Sequence, residues 1–303
     1  MSFYYRHRKE FTLILLFTLI KLGLHLAANS NFGFHRDELL YMALGEHMDW
    51  GFNEVPPFIA FISWLSVHLF GDSVFAARLI SSLFGALIVY LTGLTVWSLG
   101  GKRPAISIAC IAIIISPAFL GSGYLLQPVV FDQFFWLLSA YLIIRYMKTR
   151  QNGYLYALGF AAGLGMINKY TMALYLFALL TGLLITPQRK IFLNKAWLAA
   201  AGIAFMVFLP NLIWQINHHF PVITHLEELN NSQLKFNNPI NFIIEQILTH
   251  ATATIIWLTG FVYLFVSRTL KQFRFLAYAY IIVILLLIFL QGKSYYSFGA
   301  YPV

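Results

Sequence analysis

The sequence predicts an all-α protein that crosses a membrane several times. Hydrophobic residues make up 60% of the 303 residues and charged residues only 10%, whereas a soluble domain carries about 25% charged residues. The apolar residues fall into runs long enough to cross about 30 Å of hydrocarbon, which takes roughly 17–25 helical residues. We therefore predict a polytopic membrane protein with about nine spans in a single domain, residues 1–303.

Short polar breaks separate the predicted spans. The run from Tyr154 to Thr186 is too long for one perpendicular helix, so we divide it at Asn168–Tyr170. One long tilted helix with a buried lysine is the alternative. A cationic stretch precedes the first span, but Lys21 and His25 interrupt its apolar core, so we expect a retained anchor and not a cleaved signal. The spans cover residues 11–28, 75–99, 104–122, 127–146, 154–168, 170–186, 196–217, 242–266 and 275–291.

Lysine and arginine are concentrated in alternate connections between these spans, which is typical of cytoplasmic loops. The net charge of +9 therefore orients helices and does not indicate a nucleic-acid partner. We predict a cytoplasmic N-terminus. The cytoplasmic cations are Arg6, Arg8, Lys9, Lys102, Arg103, Arg145, Lys148, Arg150, Arg189, Lys190, Lys195, Arg268, Lys271 and Arg274.

The acidic residues favour the opposite face. Of the eleven, only Glu10 maps to the cytoplasmic side. We therefore predict that the chemistry lies on the extracytoplasmic face, with residues 29–74 as a first, catalytic outer loop and residues 218–241 as a second. The other ten are Asp37, Glu38, Glu46, Asp49, Glu54, Asp72, Asp132, Glu227, Glu228 and Glu245.

The first outer loop contains the polar window GFHRDELLYMALGEHMDWGFNEVPPF, which predicts a helix over residues 37–48. Asp37 and Glu38 occupy its first turn, where the helix dipole favours carboxylates. Asp37 shares a face with Tyr41, whereas Glu38 points about 100° away, so one carboxylate can face a cavity while the other anchors the helix. The alternative is a solvated loop whose acids cap a helix. The following FIAFISWLSVHLFG is amphipathic and too short to span, which suits an interfacial helix.

Asp132, within QPVVFDQFFWLL, lies more than one turn inside a predicted span. A charge there costs a few kcal/mol unless it faces a polar cavity or a partner, so Asp132 is a candidate site residue. The alternative is an aspartate close enough to the headgroups to be hydrated. The outer-face cations Arg36, Lys169 and Lys293 suit an anionic lipid headgroup, and we expect Arg78 to pair with Asp132 or with a phosphate.

Metal and nucleotide sites have little support in the sequence. Neither a G-x-x-x-x-G-K nor a G-x-G-x-x-G segment is present. Glu54, His218, His219 and His225 are of ligand type, but no His-x-x-x-His spacing on a predicted helix accompanies them. We therefore predict no cofactor and treat these residues as alternatives for a divalent metal. His250, inside a span, is expected to be a hydrogen-bonded residue of the bundle.

Six segments occur in this order along the chain: FHRDELLYMALGEHMDWGFNEVPPF, GDSVFAARLISSLFGAL, VVFDQFFWLL, GLGMINKYTMALY, LPNLIWQINHHFP and GKSYYSFGAYP. Together they resemble the glycosyltransferase family 39 and dolichyl-phosphate-mannose protein mannosyltransferase-like proteins of bacteria, relatives of the lipid A aminoarabinose transferase. The resemblance implies a GT-C fold in the bacterial inner membrane and transfer of a sugar from a polyprenyl-phosphate carrier to an extracytoplasmic lipid, glycan or protein. It matches Asp37 to the general base, Asp132 to the second aspartate, and Lys293 with Tyr295 to the group near the lipid phosphate.

Several alternatives stay open at this stage. Val55 stands where the aminoarabinose transferase has a basic residue, so a phosphate contact must come from elsewhere or be absent. A base alone predicts inversion at the anomeric carbon, whereas a carboxylate on the opposite face would permit a covalent route. A lipid or solute transporter would also need intramembrane charges, although no inverted repeat is visible. The chain stops at GAYPV, where relatives continue, so a shortened, non-catalytic fragment is the remaining alternative.

Overall fold

The computed structural model describes residues 8–303, and these residues form helices and connecting turns without a β-strand. Arg6, counted above among the cytoplasmic cations, lies outside the described residues. Short 3-10 helices occupy Pro187–Leu193, Leu234–Phe236, Ala251–Ala253, Lys271–Phe273 and Ser294–Ala300. The α-helices are α1 Arg8–Ala28, α2 Arg36–Glu46, α3 Phe58–Phe70, α4 Val74–Ser98, α5 Arg103–Ile115, α6 Pro117–Tyr124, α7 Pro128–Thr149, α8 Gly153–Asn168, α9 Thr171–Leu184, α10 Ala196–Asn217, α11 Pro221–Ser232, α12 Pro239–Thr249, α13 Thr254–Val266 and α14 Arg274–Phe289.

Between five and eight membrane crossings are compatible with the helix lengths. Within the described residues, α1, α4, α7, α10 and the segment Lys271–Phe289 are long and apolar enough to span. Three more crossings follow if each bent pair of helices counts as one, namely α5 with α6, α9 with Pro187–Leu193, and α12 with α13. The multi-pass helical class is confirmed, but the expected nine spans are not.

Two predicted spans, 104–122 and 242–266, are wrong as continuous helices. The first bends by 60° between α5 and α6, because Pro117 disfavours helical geometry at Ser116, which is extended. The second bends by 71° between α12 and α13. The two breaks contact each other: Thr252 donates to the free Ile115 carbonyl at 2.9 Å, and Ser116 Oγ lies 3.0 Å from His250 Nδ1. Polar groups at each break therefore bind polar groups at the other, including a carbonyl at a helix end.

The bundle is built around α7, and 72% of the 18 most apolar consecutive residues of this helix are buried. Helices α4 and α8 pack on α7, α1 packs on α4, and α10 packs on α8. The contact of α8 with α10 requires glycine, since a Cβ at Gly159 would lie 2.2 Å from the Ala200 carbonyl oxygen. Small residues of this kind let membrane helices approach closely. The close packing fixes the C-terminal end of α8, where Lys169 lies.

Polar contacts join neighbouring connections that we predict to be cytoplasmic. Glu10 lies 3.7 Å from Arg103, and Arg145 donates to the Tyr154 hydroxyl at 2.9 Å. Asn194 donates to the Tyr146 hydroxyl at 2.9 Å. The orientation of the bundle in the membrane stays a prediction.

The segment 29–74 contains two helices. α2 begins at Arg36, one residue before the predicted start, and a capping box closes its first turn because His35 and Glu38 exchange hydrogen bonds. α3 packs on α2 through Gly45, where a Cβ would approach the backbone of Trp64 and Ala60 at about 3 Å. At 13 residues α3 is shorter than a span, and its interfacial position stays a prediction.

Candidate active site

A buried ion pair fixes the start of α2 to the membrane bundle. Arg78 Nε and Nη2 donate to the two Glu38 carboxylate oxygens at 2.8 and 2.7 Å. The same carboxylate accepts from the backbone N–H groups of His35 at 2.8 Å and Leu126 at 3.0 Å. Both side chains are buried, with exposures of 1% and 0%. A bidentate pair of this kind fixes orientation as well as position, so Glu38 is the anchor of α2.

The remaining donors of Arg78 are also used. They reach the carbonyls of Asn29 at 3.1 Å and Gly33 at 2.8 Å, and the Tyr124 hydroxyl at 2.8 Å. The expectation that Arg78 pairs with Asp132 is therefore wrong, because the guanidinium binds Glu38 instead. A contact of Arg78 with a phosphate stays a prediction. Burial raises the pKa of Glu38, but hydrogen bonds from Arg78 and the backbone lower it more, and its pKa lies below the ordinary 4.5.

Asp37, the neighbour of Glu38, faces outward from this anchor. Its side chain is 35% exposed, and it accepts from Gln127 Nε2 at 3.2 Å and from Arg36 Nε at 3.3 Å. Asp37 also interacts electrostatically with Lys293 and with Tyr41. The two adjacent carboxylates thus differ in role, as their 100° separation on the helix predicts.

Lys169 lies in the polar break between α8 and α9, where the predicted interruption of the helix is confirmed. Its backbone is extended, and Asn168 Nδ2 donates to the Pro128 carbonyl at 3.1 Å. The Lys169 ammonium lies 4.8 Å from the ring centroid of Tyr295 and 4.3 Å from that of Tyr296. Such cation–π contacts hold the ammonium without neutralising its charge.

Asp132 is buried on the second turn of α7, at 5% exposure. Its Oδ2 accepts from Thr171 Oγ1 at 2.8 Å, while Oδ1 makes no hydrogen bond of ordinary geometry among the described residues. Asp132 interacts electrostatically with Lys169. The carboxylate therefore favours the charged form of the buried Lys169 ammonium.

Lys293 precedes the last 3-10 helix and is half-buried. Burial lowers its pKa, Asp37 raises it and Arg36 lowers it, and the net pKa is below the ordinary 10.5. Tyr295 interacts with both Asp37 and Tyr41, and burial raises its pKa above the ordinary 10.0. Its hydroxyl therefore stays protonated at neutral pH and can donate a hydrogen bond.

Four distant segments of the chain therefore meet at one place. Asp37, Lys293, Lys169 and Asp132 are linked in this order by electrostatic interactions. Opposite charges alternate only partly, since Lys293 disfavours the charge of Lys169. Two lysines that repel each other near a partly exposed carboxylate are an arrangement that an anionic ligand would stabilise.

The remaining candidates lie around or away from this cluster. Arg36 is 90% exposed beside Asp37. Glu54 is exposed and interacts electrostatically with Tyr41. His218 stacks on Trp214 at 4.1 Å. Among the described residues, no three His, Cys, Asp or Glu side chains lie together as metal ligands, and the candidates Glu54, His218, His219 and His225 do not converge.

Two site residues were missed because they are uncharged. Gln127 binds Asp37, and Thr171 binds Asp132. Each is a polar residue at a helix start, next to a proline or to the Asn168–Tyr170 break, and this position was the available signal. A search for ionisable residues alone passes over such partners.

Comparisons with known proteins agree with this geometry. The family model for dolichyl-phosphate-mannose-protein mannosyltransferase matches residues 54–214, which is more than half of the chain. The chain is 24% identical over 211 residues to the lipid A galacturonosyltransferase RgtD of Rhizobium johnstonii, covering 67% of this chain and 43% of that protein.

Solved structures show the same fold. ArnT from Cupriavidus metallidurans bound to undecaprenyl phosphate superposes with a TM-score of 0.76 at 15% identity, covering 95% of this chain and 58% of ArnT. Its apo form gives a TM-score of 0.71 at 15% identity, covering 95% and 57%. The chain thus spans about half the length of the relatives that it matches.

Proposed function

The chain belongs to the dolichyl-phosphate-mannose-protein mannosyltransferase family, and on this premise we propose that it transfers a sugar from a polyprenyl-phosphate carrier to an extracytoplasmic acceptor. The two lysines, Lys169 and Lys293, with an outward-facing Asp37 beside them, are the observation that carries the proposal. An uncharged or cationic ligand would not need this pair.

The lysines would bind the phosphate of the donor. When the bond between the sugar and the phosphate breaks, negative charge develops on the polyprenyl phosphate, and preorganised cations stabilise that charge in the transition state. Tyr295, protonated at neutral pH, adds a hydroxyl donor at the same place. Undecaprenyl phosphate bound to ArnT supports this donor class, although the likeness itself concerns the fold.

Asp37 would be the general base. An acceptor hydroxyl is a weak nucleophile until a positioned carboxylate takes its proton. Asp37 suits this role because it is partly exposed and only lightly hydrogen-bonded, whereas Glu38 uses both oxygens as an anchor. The nearby Arg36 and Tyr41 would help to position substrate groups around the carboxylate, with Glu54 behind Tyr41.

Asp132 would position Lys169 and would not attack the sugar. Its carboxylate is buried and accepts a hydrogen bond from Thr171, so a covalent glycosyl intermediate on Asp132 is disfavoured. The reaction would then be a single displacement by the acceptor hydroxyl, with inversion of the anomeric carbon. The acceptor itself is a lipid, glycan or protein of the bacterial envelope.

The test is transfer of radiolabelled sugar from a mixture of polyprenyl-phosphate sugars in bacterial membranes. Wild type should label an envelope fraction, whereas a Lys169→Ala, Lys293→Ala double variant should lose about 10²-fold or more of the rate, since each lysine stabilises transition-state charge. Lys271→Ala, on the predicted cytoplasmic side, is the matched control. If wild type transfers no sugar while a full-length relative is active in the same assay, the transferase proposal for this chain is wrong.

A further inference from the structure

A polar cavity of about 310 Å³ opens beside Lys293. Helix α12 and the turn Leu234–Phe236 form one wall, and residues 292–295 form the other. Lys293 and Tyr295 line the cavity and also belong to the cluster described above, so the cavity and the candidate active site share a boundary. The lining residues that matter here are Gln233, Phe236, Asn241, Glu245, Lys293 and Tyr295.

Hydrogen bonds hold the two walls together. Asn237 Nδ2 donates to the carbonyls of Gln291 at 2.7 Å and Gly292 at 3.2 Å. Gln246 Nε2 donates to the Ser294 carbonyl at 3.2 Å, and Gln246 Oε1 accepts from Ser297 Oγ at 2.6 Å. These bonds hold the walls in place without using Gln233, Asn241 or Glu245, which line the cavity.

Three polar side chains of the lining have no partner. Gln233, Asn241 and Glu245 make no side-chain hydrogen bond within residues 8–303. Asn241 and Glu245 are four residues apart and share one face of α12. An amide both donates and accepts, and a carboxylate accepts, which is what a ring bearing several hydroxyl groups requires. The rings of Phe236 and Tyr295 supply apolar surface for the C–H faces of such a ligand.

We infer that this cavity binds the sugar ring of the polyprenyl-phosphate donor. The inference rests on the proposed function, because the anomeric carbon of such a donor is bonded to a phosphate oxygen. A phosphate held by Lys293 therefore places the ring within a few Å of that lysine, where the cavity lies. About 310 Å³ is at the lower end of small-molecule sites, so the cavity suits a single ring and not a long glycan.

Direct binding to the purified full chain tests the inference. The probes are undecaprenyl phosphate and its glucose, mannose and amino-pentose esters, and the tightest ester is compared with the bare lipid phosphate. Asn241→Ala and Glu245→Ala should each weaken binding of that ester about tenfold, since a lost hydrogen bond to the sugar costs on that order. Binding of bare undecaprenyl phosphate should stay unchanged.

Two controls separate the sugar cavity from the phosphate site. Lys293→Ala should weaken binding of both probes, because both contain the phosphate. Asn230→Ala, an exposed amide on α11, should change neither. Thermal melting of each variant checks that α12 is still folded.

The inference is overturned if the Asn241 and Glu245 variants weaken both probes equally, or neither, or if they change only the acceptor KM in a transfer assay. The last result would assign the cavity to the acceptor. If wild type binds the bare lipid phosphate and shows no preference for any ester, the sugar cavity is contradicted and the proposed function is not. Wild type that binds neither probe contradicts the proposed function, and the inference falls with it.

Discussion

At the scale of single residues, Asp37 and Glu38 are adjacent carboxylates with different surroundings. Glu38 has four hydrogen bonds and no exposure, while Asp37 has two longer contacts with side chains and faces the lysines. Helix geometry predicts that the two diverge, but it does not say which one turns inward. The position of Arg78 on α4 decides this, because its guanidinium binds the Glu38 carboxylate.

Glu38→Gln tests the anchoring role. The change leaves Arg78 buried without a carboxylate, which costs about 3–5 kcal/mol of the free energy of unfolding, so we expect a clear fall in Tm in detergent. Asp72→Asn, an exposed carboxylate in the same loop, should melt like wild type. A Glu38→Gln protein with the wild-type Tm but no transfer activity would contradict anchoring and would place Glu38 in the chemistry.

The pKa of Lys293 predicts how lipid-phosphate binding depends on pH. Its pKa is lowered from 10.5, with burial as the largest cause, so the ammonium loses its charge as the pH rises through a value below 10.5. The affinity for undecaprenyl phosphate should therefore fall as the pH rises toward 10.5, where the phosphate itself no longer titrates.

Lys293→Arg should remove the part of this fall that Lys293 causes, since a guanidinium stays protonated throughout that range. Dissociation constants for both proteins across the pH series give the measurement. Lys169 is present in both, so the comparison isolates Lys293. An identical decline in wild type and Lys293→Arg would show that another group controls binding.

At the scale of helices, the breaks position the site. The interruption at Asn168–Tyr170 was predictable, because a polar tripeptide divides an apolar run too long for one helix. The bend at Ser116 was also predictable from Pro117, although this proline lies inside a long apolar run that favours a continuous span. The break at His250 has no proline, and its stabilising contacts with Ser116 and Tyr301 come from distant segments, so local sequence patterns could not predict it.

Gly159→Ala tests the packing that fixes the end of α8. The added methyl would meet the Ala200 backbone at 2.2 Å, so α8 and α10 must separate, at a cost of about 1–3 kcal/mol. We expect a lower Tm and, because Lys169 follows α8, weaker binding of undecaprenyl phosphate. Gly202→Ala on α10, where a Cβ meets nothing within 4 Å, should keep or slightly raise stability. Equal melting of the two variants would contradict this account of the packing.

At the scale of the whole molecule, composition predicted the multi-pass helical class, while the orientation inferred from the charge distribution stays a prediction. The charged residues of the candidate active site were identifiable from their charge and from the membrane face predicted for them. Their pairing was not predictable, since Arg78 could reach several carboxylates and only the packing of α4 against segment 29–74 selects Glu38. The expected nine spans are not confirmed, because apolar runs do not reveal where a helix bends.

Cysteine labelling tests the orientation. In a Cys110→Ala background, which removes the single, buried cysteine, Asn230→Cys should react with a membrane-impermeant maleimide in intact spheroplasts. Lys190→Cys should react only after permeabilisation, because its loop is rich in lysine and arginine. Both positions are exposed, so a reversed pattern would place the lysine pair and Asp37 on the cytoplasmic face.

The most direct test of the central claim is a comparison of wild type with Asp37→Asn in which sugar transfer and donor binding are measured on the same preparation. We predict that Asp37→Asn lowers kcat by about 10²–10⁴-fold, the usual contribution of a general base, and leaves the Kd for the polyprenyl-phosphate donor within about twofold. Asp49→Asn, in the same outer segment, should keep full activity. Transfer at the wild-type rate by Asp37→Asn would contradict its role as the base, and so would a loss explained entirely by weaker donor binding.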